Sequence, residues 1–562
     1  MTHLLLRHST AALIFFLLLL TGFFYQPIGP FDKVGAWYSL VPPLLAVVLA
    51  YTTHKLIPSL AIAILAGGLL VGLRTEPSII NGVSTGSWVA IKYVLSALTD
   101  PWSLKILGFV VLILMMIAII ILAGGLTAVA DKLQSWAKSR RSTKLTTALL
   151  GLVVFIDDYA NTMIVGSSMR PLSDKYKISR EKLAFIIDAT SAPVAGLAVI
   201  STWIGYETGL FGKTGAGLGI AKDGYAMFFD ALPYRFYCIL MLVFVFLNIQ
   251  QRRDYGTMLV AERRACCEGK LLADDAVPMT STAFSVEQPA SGIQPRIGTA
   301  AIPFACLFIV LLGGLWIDGG GLQQMQSSLF AIFNPVNWLD VISKTKNNST
   351  ILLLASATGV LTATACALTI ARANIQHILL AAKSGIRSSL LPMMILLLAW
   401  SLKAGCDDLN TGEFLVATIG QSISPLWYPA MVFLAASLTS FGTGTSWGTM
   451  AILIPTAIPV AFALDGNQYG LITMISLGAV LDGAIFGDHC SPISDTTIMS
   501  SIAGACDHLD HVKTQLPYAL TVGVTALLIG YLPAALGLPV VLSYATAILL
   551  FYLALRLAGR QV

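Results

Sequence analysis

Residues 155–162 read Phe-Ile-Asp-Asp-Tyr-Ala-Asn-Thr, and the adjacent carboxylates Asp157 and Asp158 stand in oily surroundings. Every residue from Ala148 to Phe155 is apolar or glycine, and Met163-Ile164-Val165-Gly166 follows. A carboxylate at the centre of a membrane-spanning helix costs roughly 2.5–3.5 kcal/mol on insertion scales. The pair is tolerable only where a cation, a proton or a hydrogen-bonding neighbour offsets it.

The flanks say how this stretch sits. Residues 131–144 carry five Lys or Arg against one acid, and residues 170–182 carry five against two. Basic flanks favour the cytoplasmic side. A segment with both ends on one side does not cross, so 145–169 is predicted to be a re-entrant hairpin with Asp157–Thr162 at its tip. Residues 427–464 are the mirror case. The preceding stretch 405–426 holds Asp407, Asp408 and Glu413 with no Lys or Arg, and Asp465 follows. This second segment is predicted to dip in from outside.

The rest of the chain agrees with a membrane setting. Of 562 residues, 56% are hydrophobic and 11% charged, against about 25% charged in soluble domains. No water-soluble surface can be built from this mixture, so the chain is an integral membrane protein. The net charge of +5 belongs to cytoplasmic loops and gives no argument for nucleic acid. The eight cysteines are scattered without a C-x-x-C pair, which speaks against a zinc site or a disulfide framework. His508 and His511 fall in a polar stretch and read as solvated.

The expected fold class is an all-α polytopic membrane protein with about 12 transmembrane helices and two re-entrant hairpins in an inverted repeat. Spans are placed near 4–24, 37–53, 56–73, 106–128, 183–206, 233–250, 297–316, 350–371, 388–404, 470–503, 516–535 and 538–557. The first is read as a retained helix rather than a cleaved signal, and 74–105 is assigned an interfacial helix. Residues 1–250 and 297–562 form the two halves, and 251–296, with six basic and six acidic residues, is read as a flexible cytoplasmic linker. The chain is expected in the cell (inner) membrane with both termini cytoplasmic.

Each hairpin is followed by a helix interrupted at an acid, a serine and a proline: Asp188, Ser191 and Pro193 in one half, Asp488, Ser491 and Pro492 in the other. Such discontinuous helices in oppositely oriented repeats mark transporter binding sites. A broken helix frees backbone groups that lipid cannot satisfy, so it survives only where it lines an enclosed or water-filled cavity. Asp157, Asp158, Asp188, Asp482, Asp488 and Asp495 together would cost on the order of 15 kcal/mol uncompensated.

Four stretches carry a resemblance: 155–162, 398–415 (LAWSLKAGCDDLNTGEFL), 440–455 (SFGTGTSWGTMAILIP) and above all 486–501 (FGDHCSPISDTTIMSS). They resemble the motifs of NhaC-type Na⁺/H⁺ antiporters, part of an ion-transporter superfamily. Sodium-coupled carboxylate carriers of that superfamily bear a Ser-Asn-Thr tip on each hairpin. Here the first tip has Ala160-Asn161-Thr162, and the second, Gly442 to Ser446, has no Asn. The resemblance implies a sodium-driven or sodium-exporting carrier, a homodimer, and an elevator-like movement of the hairpin-bearing part.

Candidate cation- or proton-binding residues are Asp157, Asp158, Asn161, Thr162, Asp188, Ser191, Asp488, Ser491, Asp495 and Thr496. Thr443, Thr445, Ser446 and His489 are candidate substrate contacts. Each has a plainer reading: a helix cap for one of Asp157 and Asp158, a salt bridge between Asp188 and Arg170, helix packing for the hydroxyls, and a backbone-bonded core histidine. Na⁺ and H⁺ are the expected coupling ions, lipid and small cations the partners, and no cofactor is expected. Na⁺/H⁺ antiport is the leading function. A sodium-coupled carrier of a small organic solute is the alternative, with Arg170 as a possible carboxylate partner. A channel and an intramembrane aspartyl protease pairing Asp488 with Asp157 are the readings from other classes. The excess of acids and the missing second protease signature count against an enzyme.

Overall fold

The structure is a computed structural model describing residues 36–53, 55–278, 293–327, 332–419 and 423–562. The span expected at 4–24 lies outside these residues. Among the described residues, nine helices are long and apolar enough to cross a membrane, and two bent helix pairs bring the number to eleven. The described residues are helical apart from connecting loops, the strand pair Arg253–Asp254 with Arg560–Gln561, which is antiparallel, and an isolated bridge between Pro278 and Asp507.

The first predicted hairpin is present. Helix Arg140–Val153 runs in and helix Asp158–Lys175 runs out. Glu262 shows that both ends lie at one place. Its Oε2 accepts from Arg140 at 2.8 Å and from Lys144, while its Oε1 accepts from the Ser179 amide and hydroxyl at 3.0 Å. The second hairpin joins Tyr428–Thr443 to Ser446–Leu464. The Tyr428 hydroxyl near its start reaches the Ala457 carbonyl on the return arm at 2.7 Å.

Both predicted helix breaks exist, and each hairpin rests on one. Helix Arg180–Ala189 stops before Ala192–Leu197, and Leu471–Cys490 stops before Asp495–Gly504. A Cβ at Gly151 would lie 2.1 Å from Thr190 Oγ1. At the other tip Gly444 has φ +68°, and a Cβ there would lie 2.5 Å from the Ile493 carbonyl. Glycine is needed at Gly444 for its backbone and for the close approach alike.

Three expectations are corrected. Residues 79–99 are not a peripheral helix: Ile79–Thr99, about 31 Å long at 1.5 Å per residue, packs antiparallel along Leu56–Thr75. Glycines permit this. A Cβ at Gly72 would meet Gly82 O and Gly86 N at 2.3 Å, and one at Gly68 would meet Gly86 O at 2.5 Å. Small residues let helix backbones touch, a signal that hydropathy does not carry. Gly72→Val should therefore force the pair apart and destabilise the protein by about 1–3 kcal/mol, read as a lower melting temperature in detergent. Gly313→Ala, at a position with open space around it, should leave that temperature unchanged or raise it.

The second correction concerns 388–404, which belongs to one helix of 34 residues, Ile375–Asp408. Lys383 and Arg387, read as loop residues, lie within it and point outward. The third concerns the linker. Residues 253–268 are folded, with strand Arg253–Asp254 followed by helix Gly256–Arg263 and a π-helical turn. Their acids fix them. Asp254 accepts from Lys182 at 2.8 Å and from Tyr518 at 2.7 Å, as Glu262 does from the hairpin base. Burial alone pushes the Asp254 carboxyl up, but the Lys182 and Lys144 ammonium groups hold it well below the usual carboxylate range.

Candidate functional site

The tips and breaks converge on a cavity of about 390 Å³. The first hairpin supplies Asp157 to Ala160, the second Thr445 and Trp447, the second helix break Asp495, and the start of helix Thr202–Gly217 the Thr202 hydroxyl. The opposite wall comes from helix Pro101–Leu122, with Ile117 and Ile121, and from Ser384, Gly385, Ser388 and Pro392 of the 34-residue helix. Three carboxylates line this space and no Lys, Arg or His does.

The adjacent aspartates have separate jobs. Asp157 is the N-cap of the return arm: its Oδ1 accepts from the Ala160 amide at 2.8 Å and its Oδ2 from Thr202 at 3.1 Å. This is ordinary capping. Asp158 is the other kind. It is 2% exposed, and its Oδ1 is buried with no hydrogen-bond partner. The indole N–H of Trp203 approaches it without reaching hydrogen-bond geometry. Asp157 and Asp495 are both near enough to repel its charge. Asp495 takes the Tyr159 hydroxyl at 2.5 Å, which ties the first hairpin to the second break.

Behind Asp495 lies Asp488. Its Oδ2 accepts from Ser446 at 3.0 Å and Thr496 at 3.1 Å, and its Oδ1 is buried without a partner. Two buried carboxylate oxygens thus stand unmatched, one on the cavity and one a threonine away. Pro392, also on the wall, sits inside its helix and has no N–H to donate to the Ser388 carbonyl. Among the described residues, no three His, Cys, Asp or Glu side chains converge closely enough to hold a metal ion.

Several predicted residues are placed elsewhere. Asn161 donates to the carbonyls of Gly151, Val154 and Thr190 at 2.7, 2.9 and 3.0 Å, so it braces the tip against the first break. Thr162 is buried and is absent from the cavity wall. Thr443 bonds back to Thr439 O at 2.9 Å within its helix, whereas Thr445 stays on the cavity wall while it caps the following helix. Ser191 bonds Asp188 O at 3.0 Å, and Ser491 bonds Phe441 O at 2.8 Å. His489 packs away from the cavity with Nδ1 2.9 Å from the Tyr237 hydroxyl. Asp188 is not in the cavity either, and it is not paired with Arg170, which is exposed beside Asp174. Its carboxylate accepts from Thr497, Ser500 and Gln515 at 3.1, 3.2 and 2.6 Å.

Asp482 is compensated from within. Arg235, fully buried, donates to it at 2.9 Å and to Glu207 at 3.4 Å, and also holds the Gly196 carbonyl at 2.8 Å. Sequence reasoning passed over Arg235 and Glu207, along with Tyr159, Thr202 and Trp447. Single polar residues in apolar runs are the signal that would have found the first two.

Paired hairpins and broken helices enclosing acids at the centre of a helical bundle define a multi-pass membrane transporter. The description "Na+/H+ antiporter family" matches residues 194–535, more than half of the chain, and the chain belongs to that family. It is 30% identical over 502 residues to an uncharacterized protein of Haemophilus influenzae, covering 89% of this chain and 91% of the relative. It is also 30% identical over 146 residues to the arginine/ornithine antiporter ArcD of Halobacterium salinarum, 26% of this chain and 28% of that one. Among solved structures, the Alcanivorax borkumensis YdaH transporter matches 80% of this chain and 90% of its own with a TM-score of 0.53 at 14% identity. That likeness concerns the fold. The family is one of antiporters, not an enzyme class, and membership supports a cation/proton antiporter role.

Proposed function

We propose that this protein exchanges Na⁺ for H⁺ at the cavity, with Asp158 and Asp495 as the groups that take either ion. The observation that carries the reading is the unmatched Asp158 oxygen on a wall with three carboxylates and no basic side chain. A buried carboxylate needs a positive partner, and here the chain provides none. Na⁺ or a proton can fill that role, one at a time, which is the requirement of antiport. Asp157 and Thr202 position the tip, and Asp488 with Ser446 and Thr496 forms a following station for the cation. In this reading the basic flanks of the first hairpin face the cytoplasm, and the protein works as a homodimer in the inner membrane.

The test uses purified protein in liposomes with an imposed pH gradient. Added Na⁺ should collapse the gradient, and K⁺ should not. No response to Na⁺ together with saturable exchange of arginine, ornithine or an organic acid would overturn the reading in favour of an organic-solute carrier.

A further inference from the structure

Behind the cavity, Asp188 sits in an arrangement that Na⁺ binding at the cavity does not use. Both of its oxygens are engaged by three donors, the Thr497 and Ser500 hydroxyls and the Gln515 amide. The neighbouring basic group is His511, fully buried, with Nε2 4.0 Å from Asp188 Oδ2.

Hydrogen-bond bookkeeping fixes the protons on His511. The Gln515 amide nitrogen donates to Asp188 Oδ2 at 2.6 Å and to the His489 carbonyl at 2.9 Å, and both partners are acceptors only. Its Oε1 must then face His511 Nε2, at 3.0 Å, which requires a proton on Nε2. The other nitrogen, Nδ1, lies 2.9 Å from the Ser501 hydroxyl. Ser501 has one proton and three neighbours: Thr497 O at 2.8 Å, His511 Nδ1 at 2.9 Å and His508 Nδ1 at 3.0 Å. With the hydroxyl turned to Thr497 O, His511 Nδ1 must donate and the ring is an imidazolium beside Asp188. With the hydroxyl turned to His511, the ring is neutral.

His508 is half-exposed, and its Nε2, 2.7 Å from the Pro492 carbonyl, is likewise protonated. The titratable groups facing His511 are Asp188 from helix Arg180–Ala189 and His508 from its own helix. Helix Asp495–Gly504 presents only hydroxyls to it, and helix Leu471–Cys490 reaches it through Gln515 by the His489 carbonyl.

We propose that Asp188 and His511 form a proton-binding site separate from the cavity, loaded from the protein surface through His508 and Ser501. In the loading step, protonated His508 gives its Nδ1 proton to Ser501 Oγ. Ser501 simultaneously gives its hydroxyl proton to His511 Nδ1. His508 becomes neutral, His511 becomes an imidazolium, and His508 recovers a proton from water. The helix Asp495–Gly504 carries both sites: Asp495 at its start lines the cavity, and Thr497, Ser500 and Ser501 hold the proton pair. This assignment rests on the antiport reading above and adds a second proton-binding station to the cavity carboxylates Asp158 and Asp495.

The test compares wild-type protein with His511→Gln and His508→Gln in liposomes. Two rates are read as a function of pH: Na⁺/H⁺ antiport, and ²²Na⁺/Na⁺ exchange, which needs no proton. His511→Gln should lower antiport by roughly a hundredfold and flatten its pH profile while ²²Na⁺/Na⁺ exchange stays near wild type. His508→Gln should slow antiport and shift its profile to lower pH. Antiport profiles of either variant that superimpose on the wild type overturn the proposal, and His508→Gln decides alone if His511→Gln fails to fold. Nitrogen-15 NMR of histidine-labelled protein reads the pair without transport. One imidazolium signal of wild type, distinct from that of His508, should be missing from His511→Gln, and identical imidazolium signals in the two proteins count against the site. A wild type that moves no Na⁺ defeats the antiport reading instead, and the NMR result then judges the proton site by itself.

Discussion

Asp158→Asn should abolish sodium-dependent proton movement, while Asp157→Asn should leave most of it. The contrast follows from what the two carboxylates already touch. Both oxygens of Asp157 are committed to Ala160 and Thr202, and Asn is as good an N-cap as Asp. Asp158 has a buried oxygen with no hydrogen-bond partner. A unit charge 4 Å from a cation is worth about 4 kcal/mol at an effective dielectric near 20. Losing that interaction weakens Na⁺ binding by roughly three orders of magnitude. Half-saturation for Na⁺ in the pH-gradient assay measures it, and a wild-type value in Asp158→Asn would remove Asp158 from the site.

The largest effect on stability belongs to Arg235→Met. Arg235 and Asp482 are both fully buried, and Asp482 also accepts from the Tyr237 amide at 2.6 Å and the Tyr531 hydroxyl at 2.8 Å. Removing the guanidinium strands two buried carboxylates, Asp482 and Glu207, and leaves the Gly196 carbonyl without its donor. Breaking a buried pair from one side costs about 3–5 kcal/mol. Replacing both partners by apolar residues is far milder. Thermal unfolding in detergent should therefore show a large fall for Arg235→Met and a substantial recovery in Arg235→Met with Asp482→Leu. Equal melting of the single variant and the wild type would mean that the group carries no net ionic role.

The hairpins and breaks were legible because each leaves a local mark: basic flanks on 145–169, acidic flanks on 427–464, and an acid with Ser and Pro after each. What local marks cannot do is sort the acids. Asp157, Asp158, Asp188, Asp482, Asp488 and Asp495 look alike along the chain, yet one caps a helix, two stand on the cavity wall unpaired or tied to Tyr159, and one is neutralised by Arg235 from 247 positions away. Asp188 sits with a histidine that reads as a loop residue. Those distinctions come from tertiary contacts between halves. The helix at 79–99 escaped for another reason: glycine contributes little to hydropathy, and its value lies in the neighbour it admits.

The clasp at the base of the first hairpin bears on how the chain reaches its orientation. Lys144 and Lys182 belong to the basic flanks, but in the folded protein they are closed against Glu262 and Asp254. In the orientation proposed above, neither acid has yet been made when those lysines leave the ribosome, so both cations are bare and would restrain the segment from translocating. Asp254 arrives 72 residues after Lys182 and Glu262 118 residues after Lys144, and the same side chains turn inward. Synthesis order lets two lysines act first as topogenic signals and afterwards as internal fasteners.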